Sequence, residues 1–122
     1  KEVVKGLIVQ KHAEDGKGAY LKKRRTKGPD LSGIGGAGYL SKAEEYLAFA
    51  LGAVAPTPVY VDVSDLLFAD GSFEEKQGKI VNRILDNINP IDDVRSTKKY
   101  RKKLSEVYTK RILSSLWEAG DK

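Results

Sequence analysis

The 122-residue chain contains no cysteine, a single histidine and no long apolar run. Without cysteine it forms no disulfide, and thiolate catalysis and thiolate-held iron–sulfur or zinc sites are excluded. His12 has no second histidine with which to share a metal, and nothing completes a Ser/His/Asp set. No apolar stretch approaches the roughly 20 residues that cross a membrane, and no signal-peptide pattern opens the sequence. A cytoplasmic location is therefore expected.

The composition is that of a soluble globular domain, with 40% hydrophobic and 32% charged residues. Residues 1–122 are expected to form a single domain with one core. The net charge of +5 permits an acidic partner or a nucleic acid. It equally permits a basic face that is merely solvated.

Two segments near the start are predicted to be strands. Residues 2–10 are apolar on both alternating faces, and residues 19–25 form a shorter strand that runs into a basic cluster at 22–27. Residues 41–54 are ambiguous, because Ser41 and Glu44 could form a helix capping box while 47–51 alternates large and small side chains. Local propensity favours a helix there, whereas the family resemblance described below favours a strand over 44–54, which we adopt.

Glycines are concentrated between the second and third predicted strands. Gly33, Gly35 and Gly38 match the GxGxxG dinucleotide fingerprint letter for letter. The fingerprint requires an apolar strand directly before it and a helix opening on it, and the preceding residues here are polar or turn-forming. The alternative is a glycine-rich strand that lets another backbone or a ligand come close.

The second half of the chain is predicted to be helical. Asp62 or Ser64 caps a short helix, and Ser72 opens a longer one. Pro90 closes that helix, and Ser96 stands at the N-cap of a basic helix over 97–118. Strands followed by helices predict an α+β fold, with an antiparallel sheet covered by helices on one face.

Few residues are arranged for catalysis. No carboxylate pair is set out for acid–base chemistry, and Asp92 and Asp93 are predicted to be turn and helix-end carboxylates. Arg95 is expected to tie this turn to a carboxylate elsewhere. The clusters 98–99 and 101–103 are predicted to be the solvated side of the last helix. These features favour a binding or scaffolding domain over a complete enzyme.

Several segments together resemble the C-terminal domain of the FAD-binding (medium) subunit of the molybdenum hydroxylases. That family includes carbon monoxide dehydrogenase, xanthine dehydrogenase and related aldehyde dehydrogenases. The two specific motifs are Ala50-Leu51-Gly52-Ala53-Val54-Ala55-Pro56-Thr57-Pro58-Val59 and Pro90-Ile91-Asp92-Asp93-Val94-Arg95-Ser96-Thr97, the second followed by Tyr100-Arg101. Looser matches are Ala19-Tyr20-Leu21-Lys22 and Asp30-Leu31-Ser32.

The resemblance implies a fold in which a three- or four-stranded antiparallel sheet packs against about three helices. It implies a role in an oxidoreductase whose large subunit holds a molybdenum cofactor and whose small subunit holds 2Fe-2S centres. Electrons would pass from these to FAD in the medium subunit and on to an acceptor. The preceding FAD-binding domain, which holds the pyrophosphate, is absent from these 122 residues, so this domain alone is expected to be inactive.

The resemblance also implies two flavin contacts. The first-strand motif places an apolar contact at Val4, and the eight-residue spacing to Asp30 places a cationic contact at Lys22. The loop 23–30 would lie near the flavin, but its extra lysines and Gly28-Pro29 depart from the family pattern. The alternative for Lys22 is an ordinary exposed strand lysine.

Two other functions were weighed. A small basic nucleic-acid-binding module would rest on the 22–27 cluster, but the sequence has no nucleic-acid motif and no aromatics interleaved with that cluster. A dinucleotide-binding enzyme would rest on Gly33, Gly35 and Gly38. Whether 31–40 is a strand or the start of a helix separates this last hypothesis from the flavoprotein domain.

Overall fold

The structure is a computed structural model that describes residues 2–8, 11, 14–23, 34–90, 92 and 97–120. Within these residues four strands precede three helices. They are β1 (Lys17–Lys23), β2 (Ile34–Ser41), β3 (Tyr46–Gly52), β4 (Val59–Asp62), α1 (Ser64–Leu67), α2 (Phe73–Asp86) and α3 (Lys98–Gly120). The strands form one antiparallel sheet in the order β1-β2-β3-β4. The predicted α+β fold is confirmed.

The core lies between one face of the sheet and helices α2 and α3. On β3, Leu47, Phe49 and Leu51 alternate along the strand and are all buried on this side. From α3, Ile112 and Leu116 pack against them in the same cluster. The strand prediction for 44–54 is therefore confirmed, and the alternation of large and small residues was the correct signal.

Strand β2 carries glycine where the last helix crosses the sheet. A Cβ built on Gly38 would lie 2.5 Å from Ile112 Cγ2 and 3.1 Å from Leu116 Cδ1. Gly36, two residues away on the same face, would meet Ile112 only at an ordinary 3.5 Å. Gly38 thus brings the helix close to the strand, whereas position 36 has room for a methyl group. The dinucleotide hypothesis is wrong for residues 35–38, which lie inside a strand; Gly33 is outside the described residues.

One hydrogen bond of the expected capping box between Ser41 and Glu44 is present, but it closes a turn instead of starting a helix. The Glu44 amide donates to Ser41 Oγ at 3.2 Å within the turn that joins β2 to β3. Asp15 reinforces this turn, because its carboxylate accepts from Ser41 Oγ at 2.7 Å and from the Ala43 amide at 2.8 Å. These bonds to the ionised carboxylate hold the pKa of Asp15 below its usual value.

The helix starts agree with the sequence in kind, with changes in detail. Ser72 accepts a hydrogen bond from the Glu75 amide at 3.3 Å and caps α2 as predicted. Helix α1 begins at Ser64, whose amide donates to the Asp62 carboxylate at 2.9 Å. The N-cap residue is Val63, whose side chain makes no capping hydrogen bond, so the prediction that Asp62 or Ser64 caps this helix is wrong in position.

The cap of α3 differs from the prediction. Thr97 Oγ1 accepts a hydrogen bond from the Tyr100 amide at 3.1 Å. Thr97 is therefore the N-cap residue, a role that the sequence predicted for Ser96. The Asp92 carboxylate accepts from the Lys98 amide, which confirms its helix-end role. Asp93, Arg95 and Ser96 lie outside the described residues.

The solvated side of α3 was also predicted with one error. Lys98, Lys99, Lys102 and Lys103 are exposed as expected, but Arg101 is buried. Position 101 lies four residues before buried Ser105, so it falls on the core-facing stripe of the helix. Helical position therefore outweighs the charge of the side chain at this site.

The segment 2–8 is not a strand in the structure. These residues belong to no sheet, and their side chains are exposed. A strand needs a neighbour to satisfy its backbone amides and carbonyls, and segment 2–8 pairs with none of the four described strands. The prediction of a first strand over 2–10 is thus wrong for residues 2–8 of this chain taken by itself.

The close approach of α3 to β2 yields a test by substitution. Gly38→Ala would push a methyl group against Ile112 and should lower the free energy of unfolding by roughly 1–3 kcal/mol. Gly36→Ala is the matched control, since its methyl has room, and should change it by less than about 1 kcal/mol. Urea denaturation of both variants measures the difference. Equal stabilities would show that α3 is not held as close as described.

Candidate functional site

Lys22 lies on the face of the sheet that none of the described helices covers. Along β1, Ala19 and Leu21 pack against the core, so the alternating Tyr20 and Lys22 point the other way and are exposed. Lys22 pairs in register with Gly35 of β2. The sequence-predicted cation is therefore presented on an accessible surface beside a residue that has no side chain.

The helix-free face of the sheet is lined by small residues around a shallow cleft. Gly35 faces Gly52 and Ala37 faces Ala50 across the β2–β3 pair, so neighbouring strands are bare at the same level. The cleft has a volume of about 320 Å³. It is lined by Tyr20, Gly35, Ala37, Ala50, Leu51, Gly52, Ala53 and Pro58. Its lining is mostly apolar, which suits an apolar ring more than a branched polar ligand.

Tyr20 forms one wall of this cleft. Its ring leans across the strand pair toward Gly35, where an added Cβ would lie 3.1 Å from the tyrosine hydroxyl oxygen. Any side chain at position 35 would therefore displace the ring. Sequence reasoning used Tyr20 only as part of a motif, and its place beside Lys22 follows from strand alternation that was open to prediction.

A second group of tyrosines flanks the helix-free face. Tyr39 and Tyr46 lie with ring centroids 6.0 Å apart and planes tilted by 55°, and the hydroxyl groups of Tyr46 and Tyr60 are hydrogen-bonded. This hydrogen bond and partial burial raise the pKa of Tyr46 to about 12. The tyrosines therefore form one border of the surface, held by a ring contact and a hydrogen bond.

Val4, the other predicted flavin contact, is not in the sheet that carries Lys22. It lies in the extended segment 2–8 with its side chain exposed. The described part of this chain thus does not join the two predicted contacts into one site. Of the loop 23–30, only the backbone of residue 23 is described.

The described residues carry no metal-binding or catalytic constellation. No group of three or more His, Asp or Glu side chains among them could hold a metal ion. His12 lies outside the described residues. The described surface offers apolar contact and the exposed Lys22 ammonium group for binding.

Known proteins share the sequence pattern and the fold of this chain. The model of the CO dehydrogenase flavoprotein C-terminal domain matches residues 20–116. This chain belongs to that family. No curated protein sequence matches it.

Solved structures share the fold at low sequence identity. Carbon monoxide dehydrogenase from Hydrogenophaga pseudoflava lacking the Mo-pyranopterin moiety aligns with a TM-score of 0.75 and 23% identity, over 88% of this chain and 38% of that one. Reconstituted CO dehydrogenase from Oligotropha carboxidovorans gives 0.71 and 22%, over 84% and 37%. Quinoline 2-oxidoreductase from Pseudomonas putida 86 gives 0.70 and 20%, also over 84% and 37%. This chain therefore spans less than two fifths of the length of these structures. None of the helices that the structure describes combines the length and apolarity of a membrane span.

The tyrosine pair at the border of the helix-free face can be tested by titration. Tyr60→Phe removes the hydrogen-bond partner of Tyr46, so the pKa of Tyr46 should fall from about 12 toward 10.0. Because the folded pKa is raised, the bond stabilises the fold below pH 10.0, and this contribution is lost as the pH rises through about 12. Tyrosinate absorbance during alkaline titration measures the shift. The control, Tyr100→Phe, should leave the Tyr46 transition in place. A late transition of unchanged amplitude in Tyr60→Phe would contradict the assignment, since burial raises only the pKa of Tyr108 besides that of Tyr46 among the described tyrosines.

Proposed function

We propose that this chain is the C-terminal domain of the flavoprotein subunit of a molybdenum-containing dehydrogenase, where it covers one side of FAD. The family match over residues 20–116 carries the proposal. The structure supports it by presenting an accessible apolar surface with the exposed Lys22 beside it. An oxidoreductase assembly of the carbon monoxide, xanthine or aldehyde dehydrogenase type is the expected context.

The residues present fit one face of a flavin. A planar, apolar ring system can lie on the bare floor formed by Gly35 and Ala37, beside the ring of Tyr20. The Lys22 ammonium group can donate to an electron-rich oxygen or nitrogen at the ring edge. Val4 would add an apolar contact if segment 2–8 lies beside the same ligand. These side chains bind and orient, and the bound FAD supplies the electron acceptance and release.

The same surface is too small to hold all of FAD. Well-formed ligand sites enclose most of the ligand, and a cleft of about 320 Å³ is at the lower limit of their usual size. No glycine-rich helix start that could cradle the pyrophosphate occurs among the described residues. The pyrophosphate would thus be held by an N-terminal FAD-binding domain of the same subunit.

The wider assembly follows from the same proposal. A large subunit would hold the molybdenum cofactor and a small one the 2Fe-2S centres, with FAD passing electrons to the final acceptor. This chain contributes none of these metal ligands, in keeping with its lack of cysteine. Its own part is to cover the flavin and limit access of water to it.

The first test concerns the isolated chain. Because one covering face leaves most of the ligand in water, FAD should bind it with a dissociation constant weaker than about 100 μM. Isothermal calorimetry measures this directly. A submicromolar constant would show that the chain contains a complete flavin site and would contradict the division of the site between two domains.

The second test concerns Lys22 in the assembled enzyme. Lys22→Ala should lower flavin content or shift the flavin redox potential, because a positive charge beside the ring favours its reduced, more negative form. Lys23→Ala is the matched control, because residue 23 follows Lys22 along β1 and pairs with buried Ile34 instead of Gly35. Alternation along the strand therefore places it away from the helix-free face. Absorbance spectra and redox titration compare the two variants. If both behave like the parent, Lys22 is an ordinary surface lysine and the proposed contact is wrong.

A further inference from the structure

The backbone is strained at one side of the cleft on the helix-free face. Ala53 has a φ of 63°, in the left-handed region where the Cβ of an L-residue crowds the neighbouring carbonyl. Glycine adopts this conformation readily, yet position 53 carries alanine. Among the described residues other than glycine, only Glu45 also has a positive φ. The tight turn between β2 and β3 accounts for Glu45, whereas Ala53 directly follows β3 and lines the cleft.

The surroundings of Ala53 keep this conformation from relaxing. Val54, the next residue, is fully buried in the core cluster. Its carbonyl accepts a hydrogen bond from the Asn89 amide at 2.7 Å, which ties the chain after β3 to the segment after α2. Strained residues persist where such contacts over-determine the backbone, and they cluster at ligand sites. Position 53 is therefore held in place before any ligand enters the cleft.

The cleft takes most of its lining from the sequence motif at residues 50–59. Five of the eight described residues around it belong to this motif: Ala50, Leu51, Gly52, Ala53 and Pro58. Across the sheet, Lys22 pairs with Gly35, and Gly35 pairs with Gly52. Neighbouring strands lie about 4.8 Å apart, so two strand spacings, roughly 10 Å, separate Lys22 from Gly52. Since Ala53 follows Gly52, Ala53 and Lys22 lie on opposite sides of one cleft.

We propose that Ala53 is a ligand-positioning residue, whose methyl group forms the apolar wall opposite Lys22 and holds the flavin ring in the cleft. This inference rests on the proposed function and deepens it. The methyl group is all that alanine adds to glycine, so it is the group that the strained conformation retains. A ring bounded by a charge on one side and by a fixed apolar wall on the other has little freedom to slide. Such prior fixing of the site lowers the cost of ordering the ligand.

Substitution by glycine separates the strain from the ligand contact. In the free chain, Ala53→Gly should raise the melting temperature by about 2–5 °C, because glycine relieves the left-handed conformation. In the whole flavoprotein subunit that contains this domain, the same substitution should raise the dissociation constant for FAD about fourfold, the effect of one lost buried methyl group. Thermal unfolding and fluorescence titration with FAD measure the two effects. A residue with a merely structural role would not stabilise the fold and weaken the ligand when it is replaced.

Glu45→Gly is the matched control. Its φ of 49° is relieved in the same way, and its exposed turn is not among the described residues that line the cleft. The melting temperature should therefore rise as it does in Ala53→Gly, while the dissociation constant for FAD stays at the parent value. An equal loss of FAD affinity in both variants would trace the effect to the added glycine instead of the missing methyl group, and would overturn the proposal.

The remaining outcomes separate this inference from the proposed function. If Ala53→Gly lowers the melting temperature, or leaves FAD binding unchanged while Lys22→Ala weakens it, the role of Ala53 is wrong and the proposed function stands. If neither Ala53→Gly nor Lys22→Ala changes FAD binding, the flavin does not lie against this face, and both the role of Ala53 and the proposed covering of FAD are overturned.

Discussion

Helix α3 can lie against the sheet only because β2 presents hydrogen atoms where the helix crosses it. At Gly38 even a methyl group would reach within 2.5 Å of Ile112. The resulting contact brings the aliphatic residues of α3 onto Phe49 of the next strand and completes the core. A glycine run that resembles a nucleotide-binding loop therefore has a packing role, and its backbone is used for strand pairing instead of phosphate binding.

The same arrangement leaves the sheet with two different faces. One is filled by large aliphatic residues and helices, and the other is floored by Gly35, Ala37 and Ala50, with tyrosines at its borders. This face carries few side chains that interact with water. A flat ligand can therefore bind to it without rearrangement of side chains. Lys22 adds a single charge at its edge. The division between a packed face and an accessible face makes this domain suited to covering a cofactor that another domain holds.

The general order of strands before helices was predicted from the residue pattern, and the core stripe of β3 was visible as an alternation of large and small residues. Local propensity favoured a helix there, however, and the strand was adopted on the family resemblance. It left the pairing of Ser41 with Glu44 ambiguous, since the same hydrogen bond caps a helix or closes a turn and only the neighbouring strands decide which. Segment 2–8 has a strand pattern without a partner in this chain, and no local signal contains that information. Tyr20 was recognisable only as a motif letter, because its place over the bare floor depends on the register of β1 with β2. Local patterns thus fixed elements, whereas contacts between elements required the fold.

The central claim is that the helix-free face lies against the flavin. A crystal structure of the FAD-loaded subunit that contains this domain tests it most directly, through the distance from Lys22 Nζ to the nearest atom of the isoalloxazine ring. We expect Lys22 Nζ to lie within about 4 Å of the ring, with Gly35 and Ala37 facing it. A helix-free face turned to solvent or onto another subunit, with the flavin covered elsewhere, would contradict it.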